Sequence, residues 1–158
     1  MTNYFIYYES AIGLLELHAH EHHLISCKFV EEKNKAEFAN QILIDAEKQL
    51  NEYFSGVRKK FELSLQFKAT AFQEQVWQAL ASIPYGKCET YLSLAKRLGN
   101  AKAIRAVGTT NGKNPFHIIL PCHRVVGSDG DLIGYVGGLA KKQWLLNFEA
   151  KHSGLYLF

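Results

Sequence analysis

The spacing of apolar positions changes along the chain, and each change marks an element. From Asn3 to Val30 the period is two: Tyr4, Ile6 and Tyr8 alternate with other residues, Gly13 punctuates, and Leu15 and Leu17 resume. Such alternation predicts half-buried strands, and Leu24–Phe29 reads as the returning strand of a hairpin. From Lys33 to Phe54 the period turns helical. Phe38, Ile42, Ala46, Leu50 and Phe54 recur every four residues until Ser55-Gly56 stops them. Phe61, Leu63 and Leu65 predict one more strand. After a short linker, Gln66–Thr70, a helix is expected over Ala71–Ile83, with Phe72, Val76 and Leu80 on one stripe. A turn follows at Ile83–Lys87. Thr90 then caps a helix over Tyr91–Leu98 that Gly99 ends, and a third helix runs from after Asn100 to about Thr110. Val125-Val126 and Leu132-Ile133 flank a Gly/Asp-rich turn (127–131), the signature of a hairpin. A last helix, about Leu139 to Ala150, would bury Trp144, Leu145 and Phe148.

This order of elements predicts an α+β fold in two parts, a scaffold over residues 1–66 and a second domain over 67–158. In the second, two short helices around a glycine break form a helix-turn-helix pattern, and the hairpin after it would be a wing. Its third helix is bare: Ala101, Ala103, Ala106, Gly108 and Thr109 are small, and Arg105 projects. Major-groove reading normally uses Asn, Gln, Arg or Lys on base edges, so a sequence-specific regulator is disfavoured. Small residues instead permit close approach to a narrow groove and its phosphates.

Composition adds little until the charge is divided. The 158 residues are 47% apolar and 21% charged, with a net charge of +3. Residues 1–66 carry −3 and residues 67–158 carry +6; within 84–113, six cations face Glu89 alone. That asymmetry points to a polyanion as partner of the second half. No long apolar run and no signal-peptide layout appears, and Cys27, Cys88 and Cys122 lie far apart with no CxxC, so a cytoplasmic, reducing location is expected.

The candidate chemistry lies in Ile118-Ile119-Leu120-Pro121-Cys122-His123-Arg124-Val125-Val126. The proline breaks strand pairing just before a thiol that has imidazole and guanidinium as its next neighbours. A thiol beside basic groups can be held as thiolate, the form that attacks electrophiles. Cys122 and His123 would touch directly only if the backbone turns there; otherwise they would act through one water. Cys27 falls in the apolar phase of its strand and reads as core. His18, His20, His22 and His23 cluster where the hairpin should turn; they read as solvated tip residues rather than a metal site.

Six motifs in order, Phe72-Gln73-Glu74-Gln75-Val76-Trp77, Ile83-Pro84-Tyr85-Gly86, Arg105-Ala106-Val107-Gly108, Asn114-Pro115, Pro121-Cys122-His123-Arg124-Val125 and Gly137-Gly138-Leu139, give the chain a resemblance. It resembles the O6-alkylguanine-DNA alkyltransferases, or methylated-DNA–protein-cysteine methyltransferases, densely over 66–150 and more loosely over 1–65. The resemblance implies a ribonuclease-H-like N-terminal domain and a winged-helix C-terminal domain. It implies a monomeric, single-turnover DNA repair enzyme that flips O6-alkylguanine out of double-stranded DNA and moves the alkyl group to its own Cys122, with no cofactor and no membrane association. Carried over, His123 and Glu149 activate Cys122, Asn114 braces the loop, and Tyr91 helps swing the nucleotide out. Arg105 fills the gap, Asn100 and Ser128 join Arg105 and Tyr91 at DNA, and Val125, Tyr135 and Val136 line the pocket.

Thr90, Val136 and Thr109-Thr110 depart from the usual family residues. Some relatives hold zinc in the N-terminal domain through Cys and His; with Cys27 the one thiol there, that site is not carried over. Two other readings stand beside the first: a lesion-binding module without chemistry, and a cysteine hydrolase with a Cys-His-Glu set.

Overall fold

A computed structural model of the chain describes residues 1–135 and 137–154. The chain separates into two compact units: Met1–Lys68 with Pro115–Ile119, and Ala69–Asn114 with the described part of Leu120–Phe158. The sequence division at residue 66 left Pro115–Ile119 with the second part. Its backbone instead joins the first, where Cys27 N–H donates to Pro115 C=O and His117 N–H to Cys27 C=O, at 2.9 and 2.7 Å.

In the first unit the strands β1 (Tyr4–Ser10), β2 (Gly13–Ala19) and β3 (Leu24–Val30) form an antiparallel sheet in that order. Ile6 faces Leu17 and Tyr8 faces Leu15, so the period of two delivers one apolar face. Helix α1 (Gln41–Phe54) contributes Leu43, Ala46, Leu50 and Tyr53 to the same core. Each fully buried leucine contributes roughly 1.5–3 kcal/mol, and Leu15, Leu17, Leu24, Leu43 and Leu50 are all sealed from solvent.

The helix starts at Gln41, not at Lys33 as its period predicted. Asn40 caps it by accepting the Leu43 N–H, and Phe38 is held outside by a two-way backbone bridge to Phe5. The strand expected over 61–65 is a single bridge, Leu24 with Leu65. The histidine cluster is not simply solvated: His18 lies within β2, stacks on Phe5 and, with His20, donates to Asn3 Oδ1.

His117 is buried in this unit and accepts the Phe29 N–H on Nδ1. Burial, with help from the Lys28 charge, pushes its pKa down to about 4. The unfolded value, near 6.5, is higher, so its contribution to stability is present above pH 6.5 and lost as pH falls toward 4. We expect stability in urea to drop by up to ~3 kcal/mol across that window. His117→Gln, which keeps an acceptor but cannot titrate, should flatten the drop; an unchanged acid limb in that variant would refute the assignment.

In the second unit, Thr70 and Gln73 form a reciprocal capping box on α2 (Ala71–Ala81), which stops two residues short of the expected end. Strand β4 (Glu89–Thr90) leads directly into α3 (Tyr91–Arg97), with Thr90 capping it as predicted. Arg97 ties this helix back to Glu89 and to the Ala79 carbonyl. Gly99, at φ 87°, lets the chain reverse into a 3₁₀ turn, Ala101–Ala103, and then α4 (Ile104–Gly112).

The wing differs from expectation. Strand β5 (Val125–Val126) pairs in parallel with β4 rather than with Leu132-Ile133, and the loop between is closed by Gly127 N–H on Asp131 C=O. A Cβ at Gly127 would lie 2.6 Å from Ile133 Cδ1, so any larger residue there would push that exposed side chain aside. Helix α5 (Leu139–His152) completes the unit, but its buried stripe is Lys142, Leu145 and Glu149. Trp144 and Phe148 are only half buried and stack on each other.

Candidate active site

Two three-residue turns shape the chain before the thiol. Ile119 N–H donates to His117 C=O around Ile118, whose φ of 73° is a region a β-branched residue rarely enters. Cys122 N–H then donates to Leu120 C=O around Pro121, at φ −80° and ψ 62°, an inverse γ-turn. The chain leaves the second unit at Asn114 and re-enters at Leu120, and Asn114 Nδ2 donates to the Leu120 carbonyl at 2.9 Å. The bend the proline predicted is therefore real, and it sets Cys122–Arg124 as a 3₁₀ turn rather than a strand.

Cys122 is 2% exposed. Burial pushes its thiol up to about 11, against a hydrogen bond with Asn114 and the Lys142 charge, which both pull it down. The expectation of a thiolate poised by adjacent cations is thus corrected: the resting thiol is neutral, and a base must take its proton. Arg124 cannot help, since its guanidinium is committed elsewhere. It grips Glu149 through Nε and an NH2 group at 2.7 and 3.0 Å, and donates to the Ile83 carbonyl.

Glu149 is 1% exposed and holds His123 as well, accepting from Nε2 at 2.7 Å. Burial works against ionisation, but the charges and hydrogen bonds of His123 and Arg124 outweigh it and hold the carboxyl well below the usual range. A carboxylate can only accept here, so the Nε2 of His123 carries a proton and, in the neutral ring, Nδ1 bears the lone pair. That Nδ1 is buried and has no hydrogen-bond partner among the described residues.

A cavity of about 250 Å³ opens on Cys122, walled by Tyr91, Gly108, Asn111, Gly134 and Tyr135 among others. It is below the roughly 300–1,000 Å³ usual for drug-sized ligands, so it admits only a small group. Tyr91 donates to the Ile133 carbonyl at 3.3 Å, and burial keeps its phenol protonated. Tyr135 is in the wall. Val125 is not; it is buried in the β4–β5 pair. Val136 lies outside the described residues.

Sequence reading missed two residues of this site. Lys142 is sealed from solvent and donates to the carbonyls of Val125, Ile133 and Gly134 at 2.6, 2.9 and 3.1 Å, tying the cavity wall to β5. Its signal was its place one and two turns before Leu145 and Glu149 on a single stripe of α5. Asn111 falls just past Thr110, where the third helix was expected to end, whereas α4 runs through it and brings it to the wall.

Helix α4 exposes Arg105, Ala106 and Thr109, Lys102 is exposed in the 3₁₀ turn before it and Lys113 just after it, with no carboxylate among them. Arg105 stands in solvent there, and Ser128 is exposed on the wing loop. Asn100 spends its side-chain oxygen on the Lys102 N–H, capping the 3₁₀ turn. Among the described residues no helix is long and apolar enough to cross a membrane.

Residues 3–67 match the family model described as 6-O-methylguanine DNA methyltransferase, ribonuclease-like domain, and residues 71–151 match the DNA binding domain of the same family. The chain is similar to the methylated-DNA–protein-cysteine methyltransferase of Methanosarcina acetivorans. The two are 43% identical over 152 residues, which cover 92% of this chain and 97% of that one. Among solved structures it is similar to the O6-methylguanine methyltransferase of Mycobacterium tuberculosis, with a TM-score of 0.86, 37% identity and coverage of 96% and 94%. It is also similar to Mycobacterium tuberculosis OGT in complex with DNA, with a TM-score of 0.85, 39% identity and coverage of 95% and 93%.

Proposed function

This chain belongs to the 6-O-methylguanine DNA methyltransferase family, and we propose that it repairs O6-alkylguanine in duplex DNA by taking the alkyl group onto Cys122. A base stacked in a duplex cannot present O6 to a buried sulfur, so it must be everted, at a cost of a few kcal/mol. Arg105, free on the cationic surface around α4, occupies the space left behind, and Tyr91 helps swing the nucleotide into the cavity.

The observation that carries the chemistry is the buried Nδ1 of His123, without a hydrogen-bond partner among the described residues, on a ring whose other nitrogen is fixed to Glu149. Through one water, Nδ1 takes the proton of Cys122. The sulfur then attacks the alkyl carbon, an S–C bond forms as the C–O6 bond breaks, and the electron pair passes to the purine. Tyr91 or a pocket N–H supplies the proton the leaving guanine needs. Glu149 orients the imidazole and stabilises its charge, as the acid of a catalytic triad does. The product is a thioether, which no group in the site can cleave, so each molecule acts once.

The test is single-turnover incubation with duplex DNA bearing O6-methylguanine, followed by mass spectrometry of the protein. One methyl group should appear on Cys122, and unmodified duplex should leave the protein unchanged. Turnover of esters without DNA, or a lesion bound but never cleared, would overturn the reading. Arg105→Ala should react normally with free O6-benzylguanine yet repair duplex about 10²-fold more slowly. Equal losses on the two substrates would remove Arg105 from the flipping step.

A further inference from the structure

We propose that Arg124 is a positioning residue of this site: it supplies the counter-charge of Glu149, so that His123 is left free to act as the base. The proposal rests on the alkyl-transfer reading above and adds to it what keeps that base ready.

A carboxylate sealed from water needs a positive charge beside it. Glu149, 1% exposed, has two neighbours able to supply one, His123 and Arg124. The two are not equivalent. An imidazolium carries hydrogen on both ring nitrogens, so a His123 that neutralised Glu149 could not accept the proton of Cys122. A guanidinium stays charged and takes no part in proton transfer.

The geometry favours Arg124. It meets the carboxylate as a fork, Nε donating to Oε1 at 2.7 Å and an NH2 group to Oε2 at 3.0 Å. His123 Nε2 donates to that same Oε2 at 2.7 Å, so the cation stands one atom away from the imidazole. The third nitrogen of Arg124 donates to the Ile83 carbonyl at 2.7 Å, and the guanidinium lies over the Tyr85 ring, 5.6 Å from its centre. Arg124 is 7% exposed, and these contacts hold its charge in place. Guanidinium and carboxylate then largely cancel. The ring meets an acceptor that fixes its orientation, while a second proton on it would set two cations against one buried carboxylate.

Other titratable groups near the pair do not take over this task. Tyr85 and Cys88 feel the charge of Glu149 from the segment between α2 and β4, and Cys122 lies on the turn that carries His123. Burial pushes Tyr85 up to about 12, Cys122 up to about 11 and Cys88 upward, so all three keep their protons below about pH 8. Tyr135 stands edge-on to the His123 ring, with 6.5 Å between the centres. Lys142, on α5 with Glu149, is committed to the carbonyls of Val125, Ile133 and Gly134.

The experiment is a pH–rate profile of methyl transfer to Cys122, from about pH 5 to 9, in single turnover with saturating O6-methylguanine duplex. Wild type is compared with Arg124→Gln, which keeps a donor but loses the charge, and with Arg124→Lys, which keeps the charge but loses the fork. In Arg124→Gln the acid limb should move to higher pH by about one to two units, a loss of about 10–10²-fold along that limb. Arg124→Lys should keep the wild-type limb even where its rates are lower throughout. An equal loss at every pH in Arg124→Gln, or a limb that moves in Arg124→Lys as well, overturns the proposal and leaves Arg124 a packing residue. The ring itself gives a reading that needs no variant. Nitrogen-15 shifts of His123 in the wild type at neutral pH should show hydrogen on Nε2 and none on Nδ1, and a doubly protonated ring overturns the proposal too. No transfer by the wild type at any pH would instead be the failure of the alkyl-transfer reading, recognisable because there is no limb to compare while the ring measurement still stands.

Discussion

Replacing Glu149 with alanine is expected to destabilise the protein by about 3–5 kcal/mol and to take alkyl transfer down with it. The carboxylate is buried among three charged hydrogen bonds, one from His123 and two from Arg124. Without it, Arg124 keeps the Ile83 carbonyl and the face of the Tyr85 ring, and remains a buried cation with no counter-charge among the described residues. Breaking one side of such a pair is costly because the other charge stays out of water. For a chain of this length the loss corresponds to a fall in melting temperature on the order of 10 °C. Glu149→Gln, which keeps the shape, should lose less stability while still slowing transfer, since a neutral amide no longer stabilises an imidazolium. The pH dependence has a definite sign. The folded carboxyl titrates below its ordinary 4.5, so its contribution is present above that pH and lost as pH falls further. Thermal melts between neutral and acid pH check this: a Glu149→Ala protein melting with the wild type would refute the account.

Changing Cys122 to alanine should abolish transfer altogether while lesion-bearing duplex is still bound. No other thiol can substitute. Cys27 is sealed in the core of the first unit, where burial pushes it up to about 12, and Cys88 is exposed and absent from the cavity wall. Binding survives because the cationic surface around α4 and the cavity owe little to a single sulfur. A gel-shift with O6-methylguanine duplex, paired with recovery of the intact lesion, measures both halves of the expectation. Residual methyl transfer to any other residue would displace Cys122 from its role. Raising the pH probes the same thiol from another side. Burial lifts Cys122 from 9.0 to about 11, so its contribution to stability is complete below pH 9 and is lost as pH rises through 11. His123→Ala, which removes the base, should slow transfer by roughly 10²–10⁴-fold.

Several errors of sequence reading share one cause. The start of α1 was placed eight residues early because Phe38 keeps the helical period; its backbone is instead engaged by Phe5, far away in sequence. The wing was read as a hairpin because two apolar pairs flank a turn; β5 had a parallel partner in β4 that local pattern does not announce. Cys122 was expected near thiolate because its neighbours in sequence are basic; in space those neighbours turn to Glu149, and the sulfur is left in a poorly solvated wall. Glu149 came from family resemblance alone, whereas Lys142 and Asn111 were not singled out.

Local order followed from the chain itself. The period of two in β1 and β2, the caps at Thr70 and Thr90, the helix stop at Gly99 and the bend at Pro121 depend on backbone sterics and near-neighbour hydrogen bonds, which a linear sequence carries. Burial of polar groups does not work that way. Whether Glu149 is ionised, which nitrogen of His123 is left to act as base, and which cation meets that carboxylate depend on partners brought from distant segments into a medium that excludes water. Those are sums over tertiary neighbours, and only the folded chain evaluates them.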